Sequence, residues 1–159
     1  MIVALFQPSI PPNTGNIARQ CAGMGVPLHL IGPLSIDLSA RAVRRAGLDY
    51  WPHLQLTVHD SPELFQDWLA GRRFWLISKH GAHRYDRAEY LADDVLIFGN
   101  ELHGLPPHWL TRWPQQALSI PIRSCVRSYN LANSVAIVMA QAFSTAGCWT
   151  GIESPQPSS

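Results

Sequence analysis

Residues Ile2–Phe6, IVALF, are apolar at all five positions, without the polar alternation of a strand that keeps one face in water. The prolines within residues 7–12 end the run before it can become a helix. A strand of this kind is covered on both faces, and such strands belong to parallel sheets whose crossovers are helices. The rest of the chain keeps the pattern: short apolar runs at Leu28–Ile31, 54–58, 74–78, Val95–Phe98 and 118–122 alternate with stretches of helical spacing. The expectation is an α/β fold, a mainly parallel sheet flanked by helices, in a single domain over residues 1–150. The Pro/Ser segment at residues 151–159 is expected to be a disordered tail.

Local signals place the helices. Asn13 or Thr14 is expected as the N-cap of the first, with Ile17, Cys21 and Met24 on one face and Gly25 as its stop. A second is expected at 39–46, ended by Gly47, where spacings of three and four put Arg41, Arg44 and Arg45 on one side. Asp60 is expected to cap a third, with Pro62 in its first turn, Glu63 at the positive end of its dipole, and Gly71 at its end. The last spans residues 130–146, closed by Gly147. Residues 79–87 read as a polar loop, and the segment through Trp109 as a short turn.

With 47% apolar and only 14% charged residues, the chain is able to bury a core. No apolar run approaches the roughly 20 residues of a membrane span, and no basic segment precedes the first strand, so a soluble, cytoplasmic protein is expected. Cys21, Cys125 and Cys148 are odd in number and form no CxxC, as suits reduced thiols. A net charge of +1 does not advertise a nucleic-acid partner. Eleven of the 12 basic residues are arginines, which favour phosphate contact and base stacking, although a biased genome composition produces the same excess.

Three segments follow strands: 13–19, 99–106 and 121–133. In a parallel sheet such segments leave on one edge, where ligands bind, so they are expected to converge. The last belongs to the longer stretch 119–142, in which an apolar strand runs through a polar turn into an apolar helix. Gly99 and Gly104 flank Glu101 and are read as letting backbone approach a flat ligand such as an adenine ring. GxGxxG, the Walker lysine, HExxH and GxSxG are all absent, which argues against dinucleotide, nucleoside-triphosphate, zinc-peptidase and serine-hydrolase sites. The seven histidines have no zinc-site spacing, and no metal is expected.

The residues themselves carry a resemblance. Pro11-Pro12-Asn13-Thr14-Gly15-Asn16-Ile17-Ala18-Arg19 is similar to an N-x-G-N-x-x-R motif. Phe98-Gly99-Asn100-Glu101-Leu102-His103-Gly104-Leu105-Pro106 is similar to FGxExxGLP. Ile120-Pro121-Ile122 with Arg127-Ser128-Tyr129-Asn130-Leu131-Ala132-Asn133 is similar to IPM and RSxNLSN. In this order they resemble the motifs of the SPOUT superfamily of RNA methyltransferases, in its TrmH-like branch of ribose 2′-O-methyltransferases, over about residues 2–150. The stretch Arg44-Arg45-Ala46-Gly47-Leu48-Asp49-Tyr50 is similar to the single-domain TrmL/YibK group, which methylates the cytidine or uridine wobble ribose of certain leucine tRNAs.

That resemblance implies S-adenosylmethionine as methyl donor with no metal, tRNA as partner, and a SPOUT α/β-knot with a C-terminal trefoil knot. It also implies a homodimer whose site borrows residues from both chains, with no membrane association. Carried over by position, it implies cofactor contacts from Leu76, Gly99, Ile120 and Ser128, supported by Glu101, Gly104, Leu105 and Asn130. RNA contacts would come from Asn13, Asn16, Arg19, Arg41, Arg44 and Arg127, with Arg19 as the catalytic residue near the target ribose. A guanidinium stays protonated, so Arg19 is expected to orient phosphate and stabilise developing alkoxide charge. Leu131, Val135 and Val138 share a helical face and are expected at the dimer interface. Departures from the family pattern stand at His103 for Arg, Tyr129 for Met or Leu, Ala132 for Ser, and Ala140 for a tyrosine implicated in tRNA contact. Alternative readings are the same reaction on another tRNA or rRNA nucleotide, or a non-catalytic RNA-binding factor with this fold.

Overall fold

The computed structural model describes residues 1–39, 42 and 49–152. Residues 40, 41 and 43–46 of the helix expected at 39–46, with Arg41, Arg44 and Arg45 among them, and the tail from residue 153 onward lie outside the described residues. Seven strands form one sheet: β1 Ile2–Phe6, β2 Leu28–Ile31, β3 Leu56–His59, β4 Phe74–Ile77, β5 His83–Arg84, β6 Val95–Phe98 and β7 Ala117–Ser119. Their order is β3-β2-β1-β6-β4-β7-β5, with all six pairings parallel. Among the described residues four helices accompany them: α1 Pro11–Met24, α2 Pro62–Leu69, α3 Pro107–Arg112 and α4 Leu131–Ala146.

The apolar strands divide their side chains between two buried layers, because successive residues point to opposite faces. Val3, Leu5, Leu96 and Phe98 pack with Ile17, Ala18 and Cys21 of α1 and with Val135, Val138, Met139, Ala142 and Phe143 of α4. Ala4, Val95 and Ile97 pack on the other side with Phe65 and Leu69 of α2 and Trp109 of α3. This two-sided burial is why β1 and β6 carry no polar position. Near the β2–β3 edge, His29 Nδ1 lies 2.8 Å from His59 Nε2, with one ring donating to the other, against Phe65 and Trp68.

Several boundaries differ from the sequence expectation, each for a physical reason. Helix α1 begins at Pro11, with the two prolines in its first turn, where a missing N–H costs nothing; Ile10 is the N-cap residue, and Asn13 and Thr14 are buried inside the helix. Ser61, not Asp60, caps α2, its hydroxyl accepting from Leu64 N at 3.3 Å. The expected loop at 79–87 contains β5 and a 3-10 turn at Tyr85–Arg87, and the segment through Trp109 is helix α3. The strand expected at 118–122 is β7, Ala117–Ser119, after which the chain leaves the sheet. Helix α4 follows its local signals: the Asn130 side chain accepts from Ala132 N at 2.8 Å and Asn133 N at 3.3 Å, and Gly147 closes the helix at φ 67°.

Candidate functional site

Strands β6, β4 and β7 are neighbours in the sheet, so the segments leaving their carboxyl ends meet. They enclose a cavity of about 580 Å³, walled by residues 77–80 at the end of β4 and beyond it, 98–105 at the end of β6 and beyond it, Ile120, Ile122 and 127–131 on the way from β7 into α4, Ser134 of α4, and Ile10 and Asn13 at the start of α1. Ile77, Phe98, Leu105 and Ile120 make it apolar, while Ser78, Asn100, Ser128 and Asn130 add polar groups at its wall. This size and mixture suit an organic cofactor with a planar part and a polar part.

One hydrogen-bonded chain joins the three segments singled out in the sequence. Asn130 Nδ2 donates to Asn13 Oδ1 at 2.9 Å, and Asn13 Nδ2 donates to Glu101 Oε1 at 3.2 Å. The Glu101 carboxylate also accepts from Ser9 N at 2.9 Å, Ser9 Oγ at 3.0 Å and Ile10 N at 3.2 Å. Helix α1 has no capping side chain at Ile10 and no acidic residue in its first turn, so Glu101 supplies that anion from a distant loop. Burial raises the Glu101 carboxyl, but the bonds from Ser9 and Asn13 outweigh it and hold the group below its ordinary value. Glu101 therefore fastens α1 to the cavity loop, and its carboxylate oxygens are engaged by α1 and the residues just before it.

The glycines act differently from the expectation of an adenine cradle. A Cβ on Gly99 would lie 2.3 Å from the Gly104 carbonyl carbon and 2.4 Å from Leu105 N, so the space beside Gly99 is filled by the loop's own backbone. Gly104 adopts φ 71°, the left-handed region that lets the loop turn back, with an Asn100–Gly104 backbone pair closing it. Asn100 fixes the same loop: its Oδ1 accepts from Leu102 N and His103 N, and its Nδ2 donates to Gln7 O at 2.5 Å. Asn100 was readable only as one letter of a motif. Ser78, Lys79 and His80 also line the cavity, and nothing in their polar run marked them. The one signal there is Gly81, whose Cβ would fall 2.2 Å from the Leu118 carbonyl carbon and would push this wall off β7.

Of the residues expected at the cofactor, Gly99, Glu101, Gly104, Leu105, Ile120, Ser128 and Asn130 all line the cavity. Leu76 does not: it is fully buried among Phe65, Ile97 and Trp109 on the opposite face, and its neighbour Ile77 faces the cavity. Among the expected RNA contacts, Asn13 and Arg127 line this cavity, whereas Asn16 and Arg19 line a second one, of about 470 Å³, on the far side of the α1 N-terminus. Arg41 and Arg44 lie outside the described residues. Two of the three residues expected at an interface on α4 are corrected as well, because Val135 and Val138 are fully buried in the chain's own core against α1 and the sheet, while Leu131 is half-buried and lines the first cavity. At the departures, His103 and Tyr129 line the cavity, with Tyr129 Oη donating to Pro121 O at 3.2 Å. Ala132 is buried where α4 meets α1, and Ala140 is exposed.

A sequence profile described as the SpoU rRNA Methylase family matches residues 1–140. A tRNA (cytidine(34)-2'-O)-methyltransferase of Methylovorus glucosotrophus is 39% identical over 142 residues, covering 89% of this chain and 92% of the relative. A solved structure bearing on the 2-OH methylation of C/U34 on tRNA superposes with a TM-score of 0.82 at 44% identity, covering 90% of this chain and 88% of its own. An AdoMet-bound rRNA methyltransferase from Sinorhizobium meliloti superposes with a TM-score of 0.77 at 27% identity, covering 90% of this chain and 55% of its own.

Proposed function

Since the chain belongs to the SpoU rRNA methylase family, we propose that it is an S-adenosylmethionine-dependent 2′-O-methyltransferase acting on the wobble-nucleotide ribose of tRNA, with leucine tRNAs as the first candidates. The observation that carries this reading is the chain Asn130–Asn13–Glu101, which binds all three motif segments around one cavity of about 580 Å³. The residues fit the cofactor: apolar Ile77, Leu105 and Ile120 suit an adenine ring, and loop ends beside Gly99 and Ser128 bring polar groups to the methionine part. When bound there, S-adenosylmethionine supplies a sulfonium methyl group with a good leaving group. The task left to the protein is positioning a ribose hydroxyl in line with that methyl and stabilising the charge that grows on its oxygen. Arg19 is assigned that second role, donating to the oxygen or to the adjacent phosphate, and Asn16 and Arg127 hold the RNA.

The same reading takes the C-terminal region to be knotted and the enzyme to be a homodimer working in the cytoplasm. What favours a second copy is that Arg19 and Asn16 line a different cavity from Ile120 and Ser128, so a partner chain would bring the two sets together. Among the described residues no helix is long and apolar enough to cross a membrane.

Nucleoside mass spectrometry of tRNA from a deletion strain tests the reading. Loss of ribose methylation at the wobble position is expected, and unchanged wobble methylation would overturn it. Loss at another tRNA or rRNA nucleotide would keep the chemistry and move the substrate. Arg19→Ala should lower turnover at least roughly 100-fold with little change in calorimetric cofactor affinity. Equal loss of both would defeat the division of roles.

A further inference from the structure

The second cavity surrounds Arg19 with features that the proposed chemistry does not use. Its floor is the Arg19 guanidinium, held over the Tyr50 ring with Cζ 4.8 Å from the ring centroid, while Tyr50 Oη donates to Gly15 O at 2.6 Å. Tyr50 thus backs a flat cation with a ring and ties that ring to the helix bearing the cation. Trp51 adds a second aromatic wall. Thr14, only 2% exposed, lines the same space, and its Oγ1 finds no hydrogen-bond partner among the described residues. A buried hydroxyl without a partner is costly and is rarely left so, and here it sits in the wall of a space large enough for a nucleotide.

We propose that this cavity holds a pyrimidine base of the RNA substrate, stacked on the Arg19–Tyr50 pair with its edge hydrogen-bonded to the Thr14 hydroxyl. The inference rests on the functional reading above and names where that substrate's base is gripped. Unpaired bases are recognised in this manner, stacked on aromatic rings or guanidinium planes and read at their polar edges. A hydroxyl both donates and accepts, so by rotating it serves cytosine and uracil alike. Arg19 then has two jobs: its plane carries the base, and its N–H groups face the ribose and phosphate attached to that base. Tyr50 is a positioning residue for Arg19, and Thr14 is a binding residue.

The test is methyl transfer to unfractionated tRNA at saturating S-adenosylmethionine by the full chain and the variants Tyr50→Leu, Tyr50→Phe and Thr14→Val. Circular dichroism and cofactor calorimetry serve as fold controls. Tyr50→Leu is expected to lower kcat/KM for tRNA roughly 10- to 100-fold, as loss of one base stack does, with cofactor affinity retained. Tyr50→Phe keeps the ring but loses the bond to Gly15, and is expected to recover most of that loss. Thr14→Val, of the same shape without the hydroxyl, is expected to lower kcat/KM roughly 5- to 50-fold. Wild-type efficiency in Tyr50→Leu overturns the proposal. So does equal damage in Tyr50→Phe and Tyr50→Leu, which would mean that Tyr50 only anchors α1. If the wild type methylates no tRNA, the functional reading fails separately. Fluorescence anisotropy with a labelled anticodon stem–loop then decides the cavity, and equal affinity for wild type and Tyr50→Leu refutes it.

Discussion

Replacing Glu101 with Ala removes the anion at the α1 N-terminus and the link between α1 and the cavity loop. Four hydrogen bonds end on this carboxylate, from Ser9 N, Ser9 Oγ, Ile10 N and Asn13 Nδ2. Bonds to a charged group contribute about 1.5–3 kcal/mol each when nothing replaces them. Ser9 and Ile10 are partly open to water, which replaces much of what they lose, whereas Asn13 is only 6% exposed and its amide is stranded. The net expectation is a loss of about 2–3 kcal/mol. For a chain of 159 residues this lowers Tm by about 5–10 °C in a calorimetric scan at pH 7.5. Glu101→Gln keeps the volume without the charge and should fall between.

The pH profile isolates the carboxylate. The Glu101 carboxyl is depressed below its ordinary 4.5, so the unfolded state takes up the proton first as pH falls. Its contribution is complete above pH 4.5 and disappears as pH drops through the lower folded value, and the gap between wild type and Glu101→Gln should close in that window. A Tm of Glu101→Ala within 2 °C of wild type at pH 7.5 would refute the claim that this side chain fastens α1 to the cavity.

Three further outcomes follow from particular contacts. Gly99→Ala brings a Cβ to 2.3 Å from Gly104 backbone, so the loop must open, and calorimetry should show cofactor affinity reduced at least roughly 100-fold with the melting transition retained. Burial, helped by His59 and Arg72, lowers His29 from 6.5 to about 4, so the unfolded state binds a proton that the folded state refuses between those values. Stability should fall by on the order of 2–3 kcal/mol from this group as pH drops from 6.5 to 4, and the double variant His29→Leu with His59→Leu should show a correspondingly shallower fall of the denaturant midpoint, most clearly between about pH 6.5 and 5, above the range where carboxylates contribute. Asp94, fully buried, accepts from Arg73 Nε at 2.9 Å, Trp75 Nε1 at 2.7 Å and Leu91 N at 3.0 Å, at the sheet end opposite the cavity. Asp94→Ala should cost about 2–4 kcal/mol by urea titration while methyl transfer measured well below Tm stays near wild type.

The elements that the sequence predicted well are those whose causes lie within a few residues. IVALF is apolar throughout, and it is a strand covered by helices on both sides. Asn130 caps α4 and Gly147 ends it, because both act on backbone groups of the adjoining turn. The α1 N-terminus was misjudged for the complementary reason. Its anion comes from Glu101, more than 90 residues later, and cap rules that look a few residues ahead assign Asn13 or Thr14 the role. Whether Leu76 or Ile77 faces the cavity turns on one step of the pleat, which an all-apolar strand does not encode. Likewise α4 is apolar on several sides, and packing against α1 decides that Val135 and Val138 belong to the core.

By itself, then, the amino-acid sequence determined the alternation of strands and helices, the parallel sheet, and the three segments that build the site, because periodicity, capping and motif order are local properties of the chain. Tertiary structure alone decided that Asn13 joins Glu101 and Asn130 at one cavity while Asn16 and Arg19, three and six residues further along the same helix, line another. Along a helix each residue advances about 1.5 Å and turns about 100°, so Asn16 stands almost one turn beyond Asn13 and Arg19 points to another side again, and only the strands and loops packed around the helix determine what each space contains.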